Sequence, residues 1–187
     1  AENYLLRSLA HLALARATAR DFAEAESLIE RADSILGRVA APQGLSFLHG
    51  AHAYVALARA RLLLGDPSGA QALVGPLLVE AARAGWKEPE ADAALVLGLS
   101  RRALGDAEGA WEPLRRALRL SDEVGLQRIA CEAHMAAASL ATDSGRPDDA
   151  RRHHDRAATL IDVLASTLDD DDRRMYLERS RAARPLP

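Results

Sequence analysis

A chain of 187 residues with 4% aromatics and about a fifth alanine, sparse in Val, Ile and Thr, favours closely packed helices over strands. A net charge of −3 and a pI of about 6.1, without a long basic block, argue against direct nucleic-acid binding. A single cysteine, Cys131, excludes an internal disulfide and a thiolate zinc site, and no run approaches the roughly 18 apolar residues of a membrane span, so a reducing, cytoplasmic setting is expected.

The start, Ala1-Glu2-Asn3-Tyr4, lacks the basic-then-apolar order of a signal peptide; it also lacks an initiator methionine and enters a helical pattern at once, so the chain is expected to be a piece of a longer protein, with removal of Met before Ala1 as the alternative. In a first unit, 2–40, Leu12 precedes the small residue Ala13, Asp21 occupies a turn, and Ala25 and Ala32 follow. Ala40-Ala41-Pro42-Gln43 then lengthens the connection. A second unit, 43–84, opens at Gly44-Leu45, carries Tyr54, Leu57, Ala58 and Leu62 at helical spacing, turns at Gly65 and resumes at Pro67 with Ala70 and Leu77. The third, 86–124, repeats the order: Gly85-Trp86, then Ala94, Leu97 and Gly98, a turn at Gly105, then Ala110 and Ala117. The fourth, 126–168, runs from Gly125-Leu126 through Ala138, Gly145 and Pro147 to Ala150 and Ala157.

The turn glycines recur at 105 − 65 = 40 and 145 − 105 = 40, so each unit is two helices and two turns, and neighbouring units must stack to bury their apolar stripes. Pro76 and Pro113 fall within second helices and predict a bend or a late helix start. A fifth unit would put its small residue near Glu178, so the array ends at four. Asp169 to Asp172 instead open a capping helix, 169–182, whose Met175, Tyr176 and Leu177 are expected to cover the last stripe, with Pro185 and Pro187 ending the ordered part.

A small residue, Gly seven later, Ala five after that and Ala a further seven on resembles the tetratricopeptide repeat, over residues 2–168. The family's period is about 34 residues and it carries a late-helix proline, whereas this period is 40 and that proline is missing. The excess falls between the second-helix alanine and the next unit, which lengthens both helices at that end. Armadillo and HEAT units have similar periods and are the alternative. The resemblance implies a single all-α domain over 1–187, a right-handed α-solenoid of four helix hairpins plus a C-terminal capping helix.

Sites for chemistry are not evident. His49 and His52 stand i, i+3 and His153 and His154 are adjacent, but neither pair has a third ligand nearby; the Asp169 to Asp172 run lacks the spacing of a calcium loop. Phosphate-binding loops and nucleophile-elbow patterns are absent, so no enzymatic activity, metal or cofactor is expected.

By the resemblance, first helices line a concave face. The inward positions are Leu14, Arg59, Leu99 and Ser139; Ala17, Leu62, Arg102 and Thr142; Arg7, His52, Asp92 and Glu132; and Ala10, Val55, Leu95 and Met135. Of these, Leu14, His52, Val55, Arg59, Leu95, Leu99, Arg102 and Met135 form the candidate partner-binding set: an apolar strip beside two arginines, suited to an amphipathic helix or extended peptide with a few acidic residues. The lysines and asparagines with which co-chaperone members hold a partner's C-terminal carboxylate are missing there. A neighbouring domain or the long second helices would fill the same groove.

The long repeats, with the ending Leu164 to Arg174 and Tyr176-Leu177, look similar to helical sensor regions of large bacterial signalling proteins, namely LuxR-type ATP-binding regulators, nucleotide cyclases and serine/threonine kinases. The implied function is a non-enzymatic protein or peptide interaction scaffold. The alternative is a receptor for a small ligand or peptide pheromone that switches the curvature of the solenoid, and self-association through alanine-rich faces is a further possibility. Arg59→Glu with Arg102→Glu is expected to weaken partner binding while leaving helicity unchanged.

Overall fold

The computed structural model describes residues 2–39 and 50–182. Ala40 to Gln43, Gly44, Leu45, His49, Pro185 and Pro187 lie outside the described residues, as do the corresponding ends of the first and second units. The described chain is all-helical: α1 (Glu2–Thr18), α2 (Phe22–Val39), α3 (Ala51–Leu63), α4 (Pro67–Ala84), α5 (Lys87–Ala103), α6 (Ala107–Val124), α7 (Gln127–Asp143), α8 (Pro147–Ser166) and α9 (Asp170–Ala182).

The turns explain the punctuation. Gly65, Gly85, Gly105, Gly125 and Gly145 all have positive φ, between 69° and 81°, the left-handed conformation in which a side chain is strained. Each turn within a hairpin is closed by the same backbone bond, from the residue after the left-handed one back to the last helical turn: Asp66 N to Arg61 O at 2.8 Å, Asp106 N to Arg101 O at 2.9 Å, Arg146 N to Ala141 O at 2.8 Å. The first hairpin makes it too, from Asp21 N to Arg16 O at 2.9 Å, and there the left-handed residue is Arg20, at φ 63°. Asp66 and Asp106 then cap the next helices, each carboxylate accepting from the N–H three residues on, Gly69 and Gly109, at 2.8 Å. Pro67 and Pro147 are the first residues of α4 and α8, where no N–H is needed.

Packing runs along the chain. From α3 to α9 each helix packs on the next, α1 packs on both α2 and α3, and α3, α5 and α7 also touch one another in sequence along one face. α3 feeds two cores. Ala53, Ala56, Leu57 and Ala60 pack with Leu6, Leu9, Leu28 and Ile35 of α1 and α2, while Val55, Ala58 and Leu62 pack with Val74, Leu77, Leu95, Leu114 and Leu140 of α4 to α7. α5 is enclosed on all sides, with every residue from Glu90 to Ser100 buried. The small side chains Ala58 and Ala138 of the first helices are wholly buried, and a Cβ on Gly98 would sit 2.7 Å from Cγ of Leu114 on α6. Burial of each leucine contributes about 2 kcal/mol, so these contacts outweigh local propensity in fixing how the helices lie.

The prolines do not delay their helices. α4 begins at Pro67 and α6 at Ala107, and both continue through Pro76 and Pro113. Pro113 cannot donate to the carbonyl of Gly109, four residues back, and Nη1 of Arg101 on α5 donates to that oxygen instead, at 2.9 Å. Asp169 caps α9, accepting from Asp172 N at 3.0 Å, and Arg173 donates to Ala165 O and Leu168 O at the end of α8. Tyr176 and Leu177 are half-buried, whereas Met175 is exposed. Among the described residues no helix is long and apolar enough to cross a membrane.

Candidate partner-binding face

The eight residues picked out by the concave frame divide sharply by environment. Val55, Leu95 and Leu99 are 5%, 0% and 3% exposed and belong to the core, because α5 has neighbours all round and α3 is packed on two sides. The apolar strip expected at the groove is therefore largely covered. Leu14 and Met135 are half-buried, and His52 is exposed.

Arg59 is not a free guanidinium. Its Nη2 donates to Asp92 Oδ1 at 2.7 Å and its Nη1 to Glu132 Oε2 at 2.5 Å, so one side chain of α3 reaches α5 and α7. Arg128 closes the group, donating to Glu132 Oε1 at 2.8 Å and to Asp92 Oδ2 at 3.2 Å. The side chains of Arg59 and Asp92 are only 11% and 10% exposed, while that of Arg128 is 55% exposed. Burial opposes the charge on Arg59, but attraction to Glu132 and Asp92 outweighs it and holds the guanidinium protonated more firmly than usual. Arg102 is likewise engaged, donating through Nε to Asp143 Oδ2 at 2.9 Å. Both arginines thus bind carboxylates of neighbouring helices.

The sequence carried a signal for this network: Asp92 and Glu132 stand at one frame position in consecutive units, and Arg59 at the position seven residues later in the unit before. Such a frame names inward positions without telling which of them meet each other. On the same face, Thr142, Arg128 and His52 remain exposed.

A second concavity lies elsewhere, between α6 and α8, and no position in the concave frame points to it. It is an open cleft of about 850 Å³ above Leu114 and Ala137, with Trp111 and His153 on its walls. The guanidinium of Arg146 lies 4.2 Å from the centroid of the Trp111 ring and 3.6 Å from Asp149. The His153 ring stands 6.4 Å from that of Trp111, and its Nδ1 meets Nδ1 of His134 at 2.9 Å. One of these two nitrogens must carry a proton and the other a lone pair. Burial, together with the neighbouring His153 and Arg156 and against Asp122, pushes the His134 pKa down to about 4. His153 is also lowered, first by burial. His154, adjacent in sequence, is exposed and does not line this cleft.

Among the described residues no group of three or more His, Cys, Asp or Glu side chains is placed to hold a metal ion. Burial raises the Cys131 thiol pKa, with Glu132 adding to the effect, which disfavours the nucleophilic thiolate. No protein-family model matches the chain, and no curated protein matches it.

Proposed function

We propose that the chain is a non-enzymatic scaffold that binds protein or peptide, a tetratricopeptide-like right-handed solenoid of four hairpins with a C-terminal capping helix. The supporting observation is the shared face of α3, α5 and α7, where Arg59, Asp92, Glu132 and Arg128 form one polar group on helices that also carry the exposed His52 and Thr142. Four hairpin turns closed by one and the same backbone bond support the repeat assignment. The setting that fits is the cytoplasmic sensory or regulatory region of a larger bacterial signalling or transcription-regulating protein, with another domain of the same polypeptide as one candidate partner.

Binding to an array of amphipathic helical and extended peptides carrying one to three acidic residues tests this reading. Thr142→Trp with His52→Glu blocks the shared face at two exposed positions and is expected to weaken binding at least tenfold with unchanged helicity. Unchanged affinity in that folded variant excludes the face.

The second reading is a receptor for a small ligand or peptide pheromone that changes curvature. Arg59 favours it, because its bonds span three first helices and must break or re-form if the hairpins splay apart. A ligand-dependent change in small-angle scattering that Arg59→Met abolishes is the outcome expected of such a receptor.

A further inference from the structure

The cleft between α6 and α8 combines an aromatic wall, an apolar floor and two charges that the fold itself does not use. Trp111 and His153 supply flat surfaces, and Leu114 and Ala137 close the bottom. Of the four charged side chains lining it, Arg146 and Asp149 are engaged with each other, and Arg146 also stacks on Trp111. Arg115 and Glu108 are exposed and have no hydrogen bond or ion pair among the described residues.

Those two side chains stand on the same helix, seven residues apart, which at 1.5 Å per residue is about 10 Å along α6. Trp111 lies between them, one turn from each. Seven residues is close to two helical turns, so both project toward the same side of the helix. A volume of about 850 Å³ lies within the range of small-molecule sites, and such sites pair apolar walls with a few polar groups that fix orientation.

We propose that this cleft binds a small aromatic carboxylate bearing a hydrogen-bond donor at its far end, such as a hydroxyaryl or aminoaryl acid. The carboxylate pairs bidentately with Arg115, the ring lies along Trp111 and His153, and the hydroxyl or amino group donates to Glu108. Arg115 supplies the attraction for the anion, and Glu108 selects against an acid without a donor, since it otherwise faces the ligand's apolar end. The site is separate from the shared face of the first helices, and neither requires the other.

Calorimetric titration with 4-hydroxycinnamate, cinnamate and 4-hydroxycinnamamide, on the whole chain and on the surface variants Arg115→Gln and Glu108→Gln, tests the assignment. Wild-type protein is expected to bind 4-hydroxycinnamate saturably, at least tenfold more tightly than the amide and several-fold more tightly than cinnamate. Arg115→Gln should remove the preference over the amide, and Glu108→Gln the preference over cinnamate, with thermal unfolding unchanged in both. An undiminished preference of Arg115→Gln for acid over amide overturns the proposal, as does absence of saturable binding of 4-hydroxycinnamate to the wild type at millimolar concentration.

Discussion

Gly98 on α5 and Leu114 on α6 fit each other as a hole fits a knob: a Cβ at position 98 would lie 2.7 Å from both Cγ and Cδ2 of the leucine. The equivalent positions of the preceding unit hold a larger and a smaller residue, Ala58 and Val74, both wholly buried. The volume of the pair is thus distributed differently in two neighbouring hairpins.

Gly98→Ala is accordingly expected to destabilise by about 1–2 kcal/mol, strain exceeding the roughly 1 kcal/mol that alanine gains in helix propensity. Gly98→Ala with Leu114→Val reproduces the pairing of the preceding unit and should recover part of the loss. A double-mutant cycle from urea unfolding checks this, and purely additive effects would count against the fit.

Arg59→Ala leaves Asp92 and Glu132 joined only by the exposed Arg128 and should cost about 3 kcal/mol, as for other broken buried ion pairs. Arg59→Glu, which the concave frame alone offers as a probe of binding, adds a third carboxylate and should cost more. Arg59→Met together with Asp92→Asn and Glu132→Gln removes the charges as a set and should cost less than Arg59→Ala. Chemical denaturation of the three variants gives the order.

Arg20→Gly should stabilise the first hairpin by about 1 kcal/mol, because Arg20 holds the left-handed conformation that glycine holds in the other turns. The converse, Gly105→Ala, should destabilise by a similar amount. Thermal unfolding midpoints moving in opposite directions are the expected result.

The histidine pair gives a pH dependence of definite sign. With the His134 pKa at about 4 and an unfolded value near 6.5, the unfolded chain binds more protons between these limits, so stability falls as pH drops from about 6.5 to about 4. His153 adds in the same direction. The charged groups acting on the pair are Asp122, Asp149, Arg146, Arg152, Arg156 and His154. His134→Phe should flatten the profile in that window and leave it unchanged above pH 7, as read from urea midpoints at a series of pH values.

The hairpin frame was legible because a left-handed turn demands glycine, and five such turns stand at regular intervals. Arg20 escaped notice as a left-handed residue since nothing in its side chain announces positive φ; only its place seven residues after Ala13 marks it. The shared face of α3, α5 and α7 was legible in register and not in exposure. Apolar residues on α3 and α5 recur on more than one stripe, so spacing alone gave Val55, Leu95 and Leu99 the same standing as His52. The cleft left no periodic trace, because Trp111, Arg146 and His153 meet across two helices and a turn, and no other unit repeats them.

The bond from Arg101 to the carbonyl of Gly109 makes the cost of Pro113 depend on what stands at position 101. With another residue at 101, acquiring Pro113 removes one hydrogen bond and strips a half-buried carbonyl of its donor; with the arginine already in place, the same change leaves that oxygen occupied. The two losses are therefore not equivalent: replacing the proline is mild, because the helix then regains its own donor, whereas replacing the arginine leaves the Gly109 carbonyl without one.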